Sequence, residues 1–452
     1  MRDRIRLLDA APRRARIAAL SLVLLAPLVP AACAATGGKT DFESVGGGSP
    51  GSTGPGGMGG AGQGGTGMGG DDLGFDAGNQ GGAGGEGGGI INCDPKGQDD
   101  DVDGDSFTEA EGDCNDCDKN RNPNAVEVPT EPGKEAFDEN CDGTIDEPVL
   151  AACDDALVID SMEPIDGARA ADLCKISAGI GDWGVVSAKW TMADGSPPPT
   201  GNEVNFHLGH GLLTGFGPNI PTRMGARMLA LSSGTARQPT DPGYQSVGGF
   251  TKGYQGVHPQ GFPKESPACP GTTTGTPNDP TGLEIVVRTP SNAYGFSFDF
   301  NFYTYEWPGF ICSQYNDFFV ALLTPFPPGQ TDGNVSFDSQ GNPVSVNNSL
   351  LEVCGCPENP PSPCFAGNKS FNCSLGNIDL IGTGFGFDAE GQDHAATGWL
   401  KTQAPVKPNE EVTIRFAVYD SGDGSLDSTT LIDNWQWIAK PGTTVGTAPI
   451  PK

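Results

Sequence analysis

Three carboxylates crowd one short stretch, Asp420-Ser-Gly-Asp423-Gly-Ser-Leu-Asp427. An ordinary hairpin turn needs a single Asp-Gly. Carboxylates this close repel one another, and a bound hard cation relieves the repulsion. Ligands that are all oxygen favour Ca²⁺ over zinc or copper. A polar turn that binds nothing has the same composition, so the loop alone leaves both readings open. Glu306 and Asp317 stand at the borders of two apolar runs. Strand ends commonly meet in a strand-rich domain. Glu306, Asp317, Asp420, Asp423 and Asp427 are therefore expected to share one Ca²⁺ at a rim. Glu306 with Asp427 also has the make-up of a glycosidase acid/base pair. That pair carries the alternative reading, an exported hydrolase acting on polysaccharide.

A second acidic region spans residues 93–147 and holds few apolar side chains. Asp101-x-Asp103-x-Asp105 has the one-three-five spacing that wraps oxygen ligands around Ca²⁺. Position six of that register is Ser106, where such loops want Gly. The register Asp99-x-Asp101-x-Asp103-Gly104 supplies the Gly but puts Ala110 where a bidentate Glu belongs. Neither completes an EF-hand, so a compact, disulfide-pinned acidic loop describes the segment better. Gly112-Asp113-Cys114-Asn115-Asp116, Asn122-Pro123-Asn124-Ala125-Val126-Glu127 and Asp138-Glu-Asn140-Cys141-Asp142-Gly143-Thr-Ile-Asp146-Glu147 follow. Together these blocks resemble the metal-binding motif repeats of bacterial surface proteins. The resemblance implies a cation-stabilised module with Asp101, Asp103, Asp105, Asp113, Asp116, Asp142 and Asp146 as ligands. Ser106 departs from the pattern, and the Cys usual shortly after Glu127 is missing, which leaves the disulfide connectivity open.

Catalytic motifs are poor. There is no Gly-x-Ser-x-Gly elbow and no His-Glu-x-x-His. His207 and His210 lie three apart in a strand-like stretch, which would project them to opposite faces. His258 precedes a Pro and His394 follows Gln-Asp, neither with a Ser or Cys partner in view. The expectation is a protein that is not an enzyme. Of thirteen Cys, Cys354, Cys356, Cys364 and Cys373 cluster in a Pro- and Gly-rich stretch. An exported chain favours disulfides there over zinc.

The elements that must position these acids are short strands. The sequence predicts strands over 185–192, 204–208, 227–231, 283–288, 294–305, 318–323, 344–346, 412–419 and 430–438, with one short helical turn over 168–176. Val412, Ile414, Phe416 and Val418 alternate with polar or small residues, as do Phe296, Phe298, Phe300 and Phe302. Many short strands with turn-rich connections predict an all-β sandwich of jelly-roll type. Tyr294-Gly-Phe-Ser-Phe-Asp-Phe-Asn-Phe, Glu306-Trp-Pro-Gly-Phe310, Tyr315-Asn316-Asp317, Asp332-Gly-Asn334, Pro343-Val-Ser-Val-Asn347-Asn348, Thr397-Gly-Trp399 and the Asp420–Asp427 loop occur in that order. This series resembles the choice-of-anchor L domain of exported bacterial proteins over residues 283–438. The resemblance implies a cell-surface context and no known activity.

The remaining organisation follows from composition. Residues 1–33 combine a basic start with an apolar run from Ile17 to Val29, too short to span a bilayer. The run ends at Ala31-Ala32-Cys33, which resembles a bacterial lipoprotein cleavage site with Cys33 as the lipidated residue. Ordinary cleavage after Ala34 is the rival. Residues 34–89 are Gly-rich and read as a disordered linker. An acidic module over 90–150, a sandwich domain over 151–440 and a tail over 441–452 complete the chain. The formal net charge of −31 excludes nucleic acid as partner. The expected protein is a lipid-anchored, calcium-binding surface protein of the bacterial envelope or outer membrane. Its role would be adhesion, or binding of an extracellular glycan or protein. Cys33→Ser should abolish acyl labelling and release the protein from membranes. A wild-type chain without lipid that starts at Ala35 would contradict this.

Overall fold

The computed structural model describes residues 97–147, 153–348, 350–355, 363–388 and 391–451. The leader, Cys33 and the Gly-rich stretch lie outside the described residues, as do Cys93 and Cys356. No helix among the described residues is long and apolar enough to cross a membrane.

Period-two apolar patterning builds two antiparallel sheets. Glu411–Ser421 pairs with Pro277–Arg288 on one side and Phe318–Thr324 on the other. Gly184–Thr191 and Val344–Ser345 complete a five-stranded sheet. The Phe-rich strand Gly295–Thr304 pairs with Ser428–Ile438, and Met228–Ser232 and His210–Leu213 continue beyond it. Ala395–Ala396, Val353–Cys354, Leu400–Pro405 and Gly446–Pro449 bring this second sheet to eight strands. Phe296, Phe298, Phe300 and Phe302 are fully buried and face the first sheet. Phe298 meets Phe416 edge-on at 4.9 Å, and Phe300 meets Phe319 at 4.8 Å. The two sheets are thus one β-sandwich sharing one apolar interior. The opposite side of the second sheet is also covered: Tyr303 and Leu431 pack with Phe216 and Phe385 from surrounding loops.

Two sequence expectations change. Residues 204–208 are not a strand but the helix Glu203–Leu208, which begins after Asn202 and stops at Gly209. With Val204 exposed, the segment has only one apolar face to bury, the side chain of Phe206. The short helix near 168 runs earlier, Pro164–Ala170, because Pro164 fits a first-turn position. Leu400–Pro405 was not predicted. Its apolar residues are sparse, and it becomes a strand by lying along Phe300, Phe298 and Phe296.

Disulfides reinforce the loops. Cys114–Cys141, Cys153–Cys174, Cys269–Cys312 and Cys354–Cys373 are bonded. Cys117 and Cys364 are bonded as well. The Cys354–Cys373 bond takes both sulfurs out of any zinc set.

Among its described residues the acidic module contains a single 3-10 turn, Glu109–Glu111, and otherwise no regular element. It is docked on the sandwich by paired hydrogen bonds. Asn292 accepts from the Val126 N–H at 2.9 Å and donates to the Val126 carbonyl at 2.8 Å. The Ser291 N–H donates to the Asn124 carbonyl at 3.0 Å, and its hydroxyl to Asn122 at 2.7 Å. Phe298→Ala should cost about 3–5 kcal/mol in denaturant unfolding, the usual range for a core Phe. Phe387→Ala, at a 71% exposed position, should change stability by less than about 0.5 kcal/mol. Equal effects would contradict the placement of the core.

Candidate functional site

Strand register brings four of the five predicted rim acids to one end of the sandwich. Phe318 pairs with Tyr419, so Asp317 and Asp420 sit side by side at the end of the first sheet. Thr304 pairs with Ser428, and the Tyr305 N–H donates to the Asp427 carbonyl at 3.1 Å. Asp427 and Glu306 therefore adjoin at the same end of the second sheet. Asp420 keeps the inward parity of Phe416 and Val418, because the register shift beside it puts the extra residue in the partner strand, between Asn278 and Thr281. Ser428 ties the sheets together, its hydroxyl donating to Asp317 Oδ2 at 2.7 Å. The Ser421 N–H donates to Asp317 Oδ1 at 3.1 Å.

These four acids are closed off from solvent, none more than 2% exposed. Protein donors answer Asp317 but leave the other three short. Both oxygens of Asp427, one oxygen of Glu306 and the Ser421 hydroxyl have no hydrogen-bond partner. Asp420 leans on Asp317 and on Ser233, but neither of its oxygens gains a hydrogen bond of ordinary geometry. Burial, then the charge of Asp317, pushes the Glu306 carboxyl well above its usual range. Burial and Asp317 do the same to Asp420. Asp427 is pushed up by burial, with Lys252 opposing. Asp317 rises to about 7, mainly through burial, against the pull of its Ser428 hydrogen bond. Lys252 is buried nearby, its ammonium bound to the Ser232 carbonyl and the Thr281 hydroxyl. Burial lowers it to about 8, while Asp279, Asp427 and Asp420 hold it up. Of the four rim acids, this one lysine bears on Asp427 and Asp420. Gly234 packs its backbone against Asp427 so closely that a Cβ there would overlap the carboxylate.

Asp423 is different. It is exposed on the loop and accepts the Ser425 N–H at 3.0 Å. Its charge still bears on Glu306 and Asp317, so it stands at the mouth of the cluster and not inside it.

In the acidic module, Asp101, Asp103 and Asp105 each offer a carboxylate oxygen within 4.8 Å of the others. They form the only such group of three among the described residues. The loop is folded by its own acids: Asp101 accepts the Gly104 N–H at 2.7 Å and the Ser106 N–H at 3.1 Å. Ser106 adopts φ +82°, the left-handed turn that a Gly would take at lower cost. Asp113 and Asp116 are buried beside this loop, and Asp103, Asp113 and Asp116 each keep one buried oxygen without a partner. Burial, with Asp105 adding to it, raises Asp103 to about 7, and burial raises Asp113 to about 6. Asp142 and Asp146 lie elsewhere. Asp142 joins an exposed turn with Asp138 and Asn140, and Asp146 accepts from Thr130 at 2.8 Å.

The histidine expectation is corrected. The helix ends at Leu208 and the chain turns at Gly209, so His207 at the helix end meets His210 at the start of the next strand, with Nδ1 of His207 and Nε2 of His210 3.2 Å apart. His210 stacks on Trp190 at 3.7 Å, and burial lowers both rings. His258 and His394 bond to the Gly275 and Trp307 carbonyls.

A further acidic group escaped the sequence reading: Asp172, Asp433 and Asp154, far apart in the chain. Asp172 and Asp433 bond to each other, and burial with this contact raises Asp433 to about 9. Asp299, opposite Asp433, is held by Arg223 at 3.1 Å and Lys401 at 2.9 Å. Only partnership in space marks this group, and no sequence spacing reveals it.

The rim acids make a pH prediction. The unfolded chain loses carboxylate protons near about pH 4, whereas folded Asp317 keeps its proton to about pH 7. Between those values the folded state binds more protons, so stability falls as pH rises. Glu306, Asp420 and Asp427 act in the same direction. In the presence of a chelator, the unfolding midpoint at about pH 7.5 should lie below that at about pH 5. A midpoint rising across this window would contradict the arrangement.

No curated protein matches the chain. Residues 231–435, the stretch that contributes all four buried rim acids, match the Choice-of-anchor L domain.

Proposed function

We propose that this is an exported, calcium-binding surface protein, lipid-anchored through Cys33, with a binding, adhesive or envelope-structural role. The observation that carries the proposal is the rim: four carboxylates shut inside the sandwich with too few donors to satisfy them. A buried charge without a partner is costly. Ca²⁺ takes six to eight oxygens, and Glu306, Asp317, Asp420, Asp427 and the Ser421 hydroxyl supply oxygens of that kind, although no three of these carboxylates bring oxygens within 4.8 Å of one another as Asp101, Asp103 and Asp105 do. Bound there, an ion would hold the ends of both sheets together. Asp101, Asp103, Asp105, Asp113 and Asp116 form a second candidate site, consistent with the resemblance of the module to metal-binding repeats. Asp142 and Asp146 would serve a separate turn.

The matched family supports a cell-surface setting and is not an enzyme family. Burial also weighs against a glycosidase. Glu306 and Asp427 are 2% and 0% exposed, closed to a polymer that would have to lie between them.

Melting of the full chain should rise with added Ca²⁺, by mass action on the folded state. Asp427→Asn or Glu306→Gln should raise the melting temperature at neutral pH without calcium and weaken the calcium response. Asp103→Asn should remove a separate part of that response. Glu131→Gln, on the exposed side of the module, should leave it intact; Asp299 is too deeply ion-paired to serve as a control. A melting temperature that stays flat to millimolar Ca²⁺ would sink the proposal.

A further inference from the structure

The docked module and the sandwich enclose a cavity of about 360 Å³ along their seam. Phe137 and Val128 of the module and Trp437 and Ile438 of the sandwich supply its apolar walls, with Asn120 and seven charged side chains, Arg121 among them, at its polar side. We propose that this seam cavity binds a neutral saccharide of one or two sugar rings. The inference deepens the surface-binding reading above and rests on it.

The size is at the low end of the roughly 300–1,000 Å³ range of small-ligand sites. The chemistry selects the ligand class. A sugar ring has apolar C–H faces and an edge of hydroxyls that both donate and accept. Aromatic rings offer flat apolar surface with little conformational freedom to lose. Trp437 is held in place by edge-on contacts with Trp435 at 5.5 Å and Trp183 at 6.4 Å. Phe137 is braced by the Arg121 guanidinium, which lies over its ring at 3.4 Å. Asn120 gives one amide hydrogen to Asp118 at 3.0 Å, and its second hydrogen and its oxygen suit hydroxyls that accept and donate. Arg121 is already paired with Asp118 at 3.2 Å, and the acids Glu131, Glu135 and Glu139 outnumber the cations Lys134 and Lys440 along the same lining, which disfavours phosphate. The net charge of −31 further disfavours anionic ligands. The cavity is built when the module docks. Asn292, which bonds to Val126 in both directions, also lines it.

The test is a glycan array with the full-length protein, followed by titration with maltotriose, cellotriose and chitotriose while tryptophan fluorescence is read. At least one arrayed neutral glycan should bind, and the binding saccharide should shift the emission. Phe137→Ala and Asn120→Ala should each weaken binding about tenfold or more, a loss that one stacking or hydrogen-bonding group can produce. Their melting and calcium response should stay those of the parent. If Phe137→Ala fails to fold, Asn120→Ala decides alone, since its side chain adds little to the core. Binding that survives both substitutions overturns the site. So does the absence of binding to any neutral glycan while calcium-dependent melting is intact. Loss of the calcium response together with substitution-sensitive saccharide binding would overturn the calcium reading and leave the cavity assignment standing.

Discussion

Four carboxylates confined between the ends of two β-sheets are the constraint on which the sandwich rim depends. Glu306 and Asp427 come from one sheet, Asp317 and Asp420 from the other. Their mutual repulsion acts across the same seam that the hydrophobic interior closes. The Ser428 hydroxyl and the Ser421 N–H satisfy Asp317, but Asp427 has neither oxygen satisfied. Such a cluster persists only when protons or a cation balance it. Lys252 supplies a single positive charge, and it is spent partly on Ser232 and Thr281.

The apolar interior makes this confinement affordable in conformational terms. Phe296, Phe298, Phe300 and Phe302 form a continuous aromatic row against Trp435, Phe416 and Phe319. Dense packing of this kind resists displacement. The acids at the end of the same strands therefore cannot simply spread apart to relieve their repulsion. Their position is fixed by pairing: Thr304 with Ser428 and Phe318 with Tyr419. The loop Asp420 to Asp427 carries chemistry because both strands that it joins are anchored in different sheets.

The acidic module solves a different problem. With almost no apolar residues of its own, it gains order from turns folded around carboxylates, from the Cys114–Cys141 bond, and from docking. Asn292 gives it two hydrogen bonds to the backbone of Val126, and Ala125 and Val126 are buried. This contact turns what reads as a spacer into a wall of the seam cavity. The two candidate cation sites and the cavity are thus linked to the same body of structure.

Local pattern in the sequence was enough to identify the long strands, since alternation at Val412 to Val418 and Phe296 to Phe302 is a property of neighbours along the chain. It was also enough to single out Asp101, Asp103 and Asp105, whose spacing itself closes a loop. Even Glu306, Asp317, Asp420 and Asp427 were visible, because each borders an apolar run. Tertiary structure alone decided which of the five rim acids enter the interior. Asp423 has the same composition around it but lies at the tip of the loop, where pairing no longer constrains it. The same holds for Lys252 and for the meeting of Asp172 with Asp433. Periodicity reports the direction of a side chain relative to its own strand. Partnership between residues hundreds of positions apart is set by register and sheet packing, which depend on the fit of the whole interior and leave no trace in local spacing.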